Sequence, residues 1–144
     1  MNEKIKEGRS SDGRIIHYGV GAFIEKDGKY LIINRAVKPW GYGCISEHIN
    51  EGESAEEAVM RGVFEEAGLN VISSELILER MINSRECSNG KFPHYCYIFR
   101  CAVEGEIKSN PKEVKSIDWY SKEDIKKLKL EPFWKFFFKK MNII

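Results

Sequence analysis

At 144 residues, 42% hydrophobic and 31% charged, the chain has material for one domain with a proper core and too little for two. Lys plus Arg (23) nearly balances Asp plus Glu (22), so no overall field draws it to nucleic acid or to a membrane. The Lys-rich stretch from Lys122 to Lys140 reads as a solvated helix face rather than a binding patch. Cys44, Cys87, Cys96 and Cys101 form no Cys-x-x-Cys pair, and Cys44 with His48 lacks a second pair to complete a zinc site. Free thiols in a reducing compartment are expected. Met1 to Arg14 is polar, and no apolar run approaches membrane-spanning length, so a cytoplasmic location without membrane contact is expected.

Residues 1–14 read as a loosely ordered leader, followed by a single domain over 15–144. Ile15 to Ile24 is β-branched and aromatic, a strand. Asp27-Gly28 signals a hairpin, with Lys29 to Asn34 as the return strand. Ala36 to Gly43 carries Pro39, Gly41 and Gly43, and reads as a loop. Ser54 with Glu57 makes a capping box, and Gly68 stops the helix between them. Helical spacing puts Val59, Met60, Val63, Phe64 and Ala67 on one apolar arc, with Ala58, Gly62, Glu65 and Glu66 on the adjoining one. Asn70 to Ile82 is strand-like, Ser84 to Pro93 a polar loop, and His94 to Val103 a strong strand. In it Cys96 and Cys101 face opposite sides. Val114 to Tyr120 is a short strand. Ser121 caps a second helix, Pro132 interrupts it, and Phe133 to Met141 adds an aromatic turn or two. The mixture of strands and helices suggests an α/β fold with a mixed sheet between helices.

Positions 62, 65 and 66 share one helix face. A glutamate at 62 beside Glu65 and Glu66 would bring three carboxylates together, which repel unless a hard divalent cation sits between them. The run Glu53 to Leu69, with Glu53, Arg61, Val63, Glu65, Glu66, Gly68 and Leu69 at fixed spacing, resembles the signature of the Nudix hydrolases. The resemblance extends from about residue 15 to 130, and includes the ending Trp119-Tyr-Ser-Lys-Glu-Asp-Ile. It implies an α/β/α sandwich and a metal-dependent hydrolase, using magnesium or manganese, that cleaves the diphosphate linkage of a nucleoside diphosphate derivative. It also implies that Glu53, Arg61, Glu65 and Glu66 serve catalysis, with Glu65 and Glu66 on the metal.

Two positions depart from the pattern. Glu47 stands where the family has glycine, and Gly62 where it has the glutamate that follows Arg61. Three readings follow. Glu47 moves its carboxylate into the gap and rebuilds metal binding. Or Glu65 and Glu66 keep a weaker metal and another carboxylate is the base, with Glu113 ahead of Glu104 and Glu106. Or catalysis is lost and the domain binds a nucleotide or a protein.

Among other residues, Arg35 is a candidate bidentate phosphate donor, and Trp40 and Tyr42 are candidates to stack on a base or sugar. Arg61 is expected to orient Glu53 and the paired glutamates. His94 is weighed as a general base against a lone packed histidine. The loops Trp40 to Gly43 and Ser84 to Pro93 are the candidates for substrate specificity. The run Phe133 to Phe138 is too apolar for an exposed helix, and reads either as docked on the sheet or as a homodimer contact.

Overall fold

The computed structural model describes residues 4–87 and 89–144. Residues 1–3 of the leader and residue 88 of the expected polar loop lie outside them. Within the leader, Glu7–Arg9 forms β1, antiparallel to β2 (Ile15–Phe23). The hairpin signal is met: Asp27 and Gly28 take φ of 52° and 75°, joining β3 (Glu25–Lys26) to β4 (Lys29–Arg35). Then come β5 (Tyr42–Gly43), β6 (Ile45–His48), α1 (Ala55–Ala67), β7 (Asn70–Cys87), β8 (Gly90–Glu104), β9 (Val114–Tyr120), α2 (Lys122–Ile125) and α3 (Pro132–Lys140).

One sheet runs β1-β2-β8-β7, with β6 also paired to β2; the other runs β3-β4-β5, with β9 on β4. The β2–β8 pairing is parallel and the other pairings are antiparallel, so the first sheet is mixed. Alternation splits the core. Val20, Ala22, Phe99 and Cys101 pack with Val59, Val63 and Ala67 of α1. Phe23, Cys96 and Ile98 pack with Trp134, Phe137 and Phe138 of α3. Sheets therefore lie between α1 and α3, the expected sandwich, with Cys96 and Cys101 on opposite faces. All four cysteines are buried free thiols.

Three local expectations need correction. Ser84 to Pro93 is not a loop: β7 continues to Cys87 and β8 starts at Gly90, a long ribbon whose exposed side chains gave it a polar, loop-like composition. Pro93 falls where the register shifts between Ile82 and Arg85, which spares the ladder its missing N–H. Pro132 interrupts no helix. It opens α3 at the first turn, where a missing N–H is harmless, and Glu131 caps that helix through Trp134 N–H. On α1 the buried side is rotated from the expected arc: Met60 and Phe64 are 48% and 60% exposed, whereas Gly62 and Glu66 are buried. The capping box and the left-handed Gly68 (φ 71°) are as read from the sequence.

The aromatic run is docked, not displayed. Trp134, Phe137 and Phe138 are fully buried, with rings in edge contacts. Glycines make room for the indole: a Cβ at Gly43 would collide with it, and one at Gly21 would lie 2.5 Å from Trp134 Cη2. Trp134→Ala is expected to cost about 3–5 kcal/mol, and Gly43→Ala about 1–3 kcal/mol by overpacking, both read from urea unfolding midpoints. The two should be less than additive when combined, because removing the indole removes the collision.

Candidate active site

The site begins with a gap in α1. Gly62 has no side chain, and Glu47 of β6 lies over it: a Cβ at 62 would sit 3.0 Å from Glu47 Cβ and 3.6 Å from its Cγ. Antiparallel pairing of β6 with β2 puts Glu47 opposite Val20 and aims it, like Ile45, at α1. The carboxyl it delivers joins Glu66 from the next turn and Glu113 from just before β9. One oxygen from each of the three lies within 4.8 Å of the others. Residues 47 and 62, the two departures from the signature, are thus in contact.

Electrostatics mark this trio as unusual. Burial, then the charge of Glu113, pushes the Glu47 carboxyl up to about 7. Burial, then Glu47, pushes Glu66 well above the ordinary carboxylate range. Glu66 is 1% exposed, and its Oε2 has no hydrogen-bond partner. Three hard oxygen donors, partly desolvated and mutually repelling, fit a divalent cation of the magnesium or manganese type.

Arg61 organises the rim. Its Nε and Nη2 donate to the two oxygens of Glu53 at 2.8 and 3.0 Å, and Nη2 also donates to the His48 carbonyl at 2.7 Å. Nη1 donates to Glu65 at 3.3 Å and lies 3.7 Å from Glu47. Glu53 also accepts from Asn50 N–H, and the Arg61 hydrogen bonds hold its carboxyl below the usual range. Glu53 and Glu65 are therefore spoken for by Arg61. Of the glutamate pair, Glu66 faces the trio, while the Glu65 side chain is 45% exposed.

One cavity reaches the trio, and a second adjoins the first. A cleft of about 170 Å³ is lined by Arg35, Ser46, Glu47, His48, His94 and Glu113 among others. Arg35 donates to Ser46 Oγ at 2.9 Å and to the Lys38 carbonyl at 3.4 Å, leaving its buried Nε without a partner. A larger cavity, about 560 Å³, is lined by Trp40, Arg80, Phe133 and Phe136, and shares Pro39, Arg85 and Glu86 with the first. Trp40 is 52% exposed, with the Lys115 ammonium 5.3 Å from its ring centroid. Tyr42 lines neither cavity and packs edge-on against Tyr120.

Sequence reasoning missed one group altogether. His94 is not alone: parallel register makes it the neighbour of His17, and His48 and Cys87 complete the cluster. Burial and the neighbouring His94 push His48 down to about 3, and burial pushes His94 down to about 4. Arg85, which pairs with Glu131 at 3.4 Å, was also unforeseen. No local motif announces either, because strand pairing between distant segments creates them.

Comparison with known proteins agrees with the fold. Solved structures with the same fold include the MutT protein from Methanosarcina mazei Go1 (21% identity, TM-score 0.73, covering 88% of this chain and 93% of that one). Another is the NUDIX domain of Shewanella oneidensis NrtR complexed with ADP ribose (19% identity, TM-score 0.67, 88% and 85%). A third is the MutT NUDIX hydrolase from Burkholderia pseudomallei (24% identity, TM-score 0.63, 76% and 85%). No curated protein matches the sequence significantly. The NUDIX domain family model matches residues 16–140, nearly the whole chain, and the chain therefore belongs to the Nudix family.

Proposed function

We propose that this chain is a metal-dependent Nudix hydrolase that cleaves the diphosphate linkage of a nucleoside diphosphate derivative, with magnesium or manganese held by Glu47, Glu66 and Glu113. The observation that carries this reading is the seating of Glu47 over Gly62, which returns a carboxylate to the face that lost one. When bound, such an ion neutralises charge on the diphosphate and acidifies water. The chain's own groups supply the rest. Glu47, Glu66 and Glu113 would hold the ion as carboxylates, and a carboxylate oxygen left uncoordinated would be the acceptor for a proton from water. Arg61 fixes Glu53, Glu65 and the His48 carbonyl, so the helix and β6 keep their spacing. Arg35, with its free Nε–H, is placed to donate to a phosphate oxygen in the smaller cleft.

The larger cavity suits the nucleoside portion, with the Trp40 face available for stacking. That a fold neighbour was solved with ADP ribose supports a nucleotide-type ligand here. Four buried thiols suit a reducing, cytoplasmic compartment. Among the described residues no helix is long and apolar enough to cross a membrane.

Glu47→Gln and Glu66→Gln should each lower kcat by about 100-fold or more, whereas Glu56→Gln, on the exposed side of α1, should leave it unchanged. The measurement is phosphate release with magnesium or manganese across nucleoside triphosphates, nucleotide sugars, ADP-ribose and dinucleoside polyphosphates. No turnover of any of them, with no metal binding by titration, contradicts the enzyme and leaves a nucleotide- or protein-binding domain.

A pH effect follows from the shifted carboxyls. Without metal, native Glu47 keeps its proton up to about pH 7, whereas an ordinary glutamate releases it near 4.5. The native state binds more protons in that window, so stability falls as pH rises through it, and Glu66 acts in the same direction. Thermal unfolding of chelator-treated protein should show this decline, and Glu47→Gln should remove part of it. Equal slopes in both proteins would contradict the assignment.

A further inference from the structure

On the wall of the smaller cleft, which His48, Cys87 and His94 help to line, four side chains with soft or borderline donors meet. His17 and His94 are cross-strand neighbours in β2 and β8, His48 ends β6, and Cys87 ends β7. One donor atom from each lies within 4.8 Å of the others, and His17, His94 and Cys87 are buried. The three imidazoles stand 5.3 to 5.7 Å apart between ring centres. This group is separate from the carboxylate trio and contains no acidic ligand.

Hydrogen bonds fix which nitrogens of His94 and His17 face inward. His94 Nδ1 lies 2.8 Å from the Phe92 carbonyl, which only accepts, so Nδ1 carries the hydrogen and Nε2 is left as a bare lone pair. That Nε2 is buried without any partner. His17 Nε2 lies 3.3 Å from a Glu7 carboxylate oxygen and donates to it, which leaves His17 Nδ1 as the acceptor, 3.8 Å from Cys87 Sγ. Outer N–H groups tied to a carboxylate and a carbonyl, with inner lone pairs converging, are the supporting arrangement found around histidine-bound metals.

We propose that His17, His48, His94 and Cys87 form a zinc site. Three imidazoles and one thiolate match zinc's preference for four nitrogen and sulfur ligands, and four protein ligands leave no open position, so the site is structural. Tetrahedral bonding to zinc needs donor separations of roughly 3.3–3.7 Å, a contraction of about 1 Å from the outer spacing seen, within reach of small side-chain rotations. On binding, Cys87 releases its thiol proton to solvent and the thiolate takes the coordination bond. The Glu7 carboxylate, beside His17, offsets the remaining positive charge. The site would clamp β2, β6, β7 and β8 at one point. Its His48 ligand is tied by its backbone N–H to Glu47 and by its carbonyl to Arg61, so metal here would also steady the carboxylate trio.

Cobalt(II) titration of the chelator-treated full chain tests this. The expected result is one tight equivalent, with intense tetrahedral d–d bands and a thiolate-to-cobalt charge-transfer band, all displaced by zinc. Cys87→Ser should abolish the charge-transfer band, and Glu7→Ala should weaken affinity about 10- to 100-fold. Glu66→Gln, in the other cluster, should leave the cobalt spectrum as it is. The wild-type spectrum decides even if a variant fails to fold. Weak octahedral bands alone, or a charge-transfer band that persists in Cys87→Ser, would overturn the proposal.

Discussion

The packing of Glu47 against Gly62 is the contact on which the rest of the site depends. A side chain at 62 would crowd Glu47, whose Cβ would lie 3.0 Å from the new Cβ; a strand with a glycine at 47 would leave the site one carboxylate short. The two departures compensate each other in space although they are distant in sequence. On the proposed assignment the donor moves from a helix to the β6 strand, which is held by backbone ladder bonds to β2 rather than by its own turn. A donor mounted this way is as rigid as the sheet that carries it.

Around that contact, charge is sorted by burial. Arg61 has its hydrogen bonds on the exposed side of the trio, with Glu53 and Glu65, and only a longer ion pair with Glu47. Glu66 sits deeper, and the charge of Arg35 only partly offsets burial and the neighbouring Glu47, so its carboxyl is still pushed well up. Two neighbouring glutamates of one helix therefore do different work: Glu65 holds Arg61, and Glu66 offers an oxygen. The left-handed Gly68 ends α1 just after Glu66, and the chain then carries Asn110 back to donate its N–H to the Glu66 carbonyl at 3.2 Å, which brings Glu113 to the same place.

Much of this was legible in the sequence, where the signal is local. The capping box at Ser54, the Asp27-Gly28 turn, the Gly68 stop and the alternation of Cys96 with Cys101 each rest on backbone rules that act over a few residues. The family signature, being a pattern of spacing along one helix, was equally readable, as was the conflict at positions 47 and 62. What sequence reasoning misread was the direction of the helix's buried face. Met60 and Phe64 looked like core by hydrophobicity, yet the Gly62 and Glu66 side is the one buried, with Glu47 of β6 packed over Gly62. The long β7–β8 ribbon hid behind its exposed polar side chains. The histidine cluster was invisible for a different reason: parallel pairing of β2 with β8 sets His17 beside His94, and nothing local to either residue encodes that register.

The central claim is that Glu47 has taken over the carboxylate position vacated at Gly62. Titration of manganese into the swapped pair is its most direct test. Gly62→Glu alone should weaken binding, since the new side chain crowds Glu47 and displaces its carboxylate, and Glu47→Gly alone should weaken it by removing a donor. Glu47→Gly combined with Gly62→Glu should restore affinity close to that of the natural chain. If Glu47→Gly binds manganese as tightly as the natural chain, or the double variant binds no better than either single one, the account is contradicted.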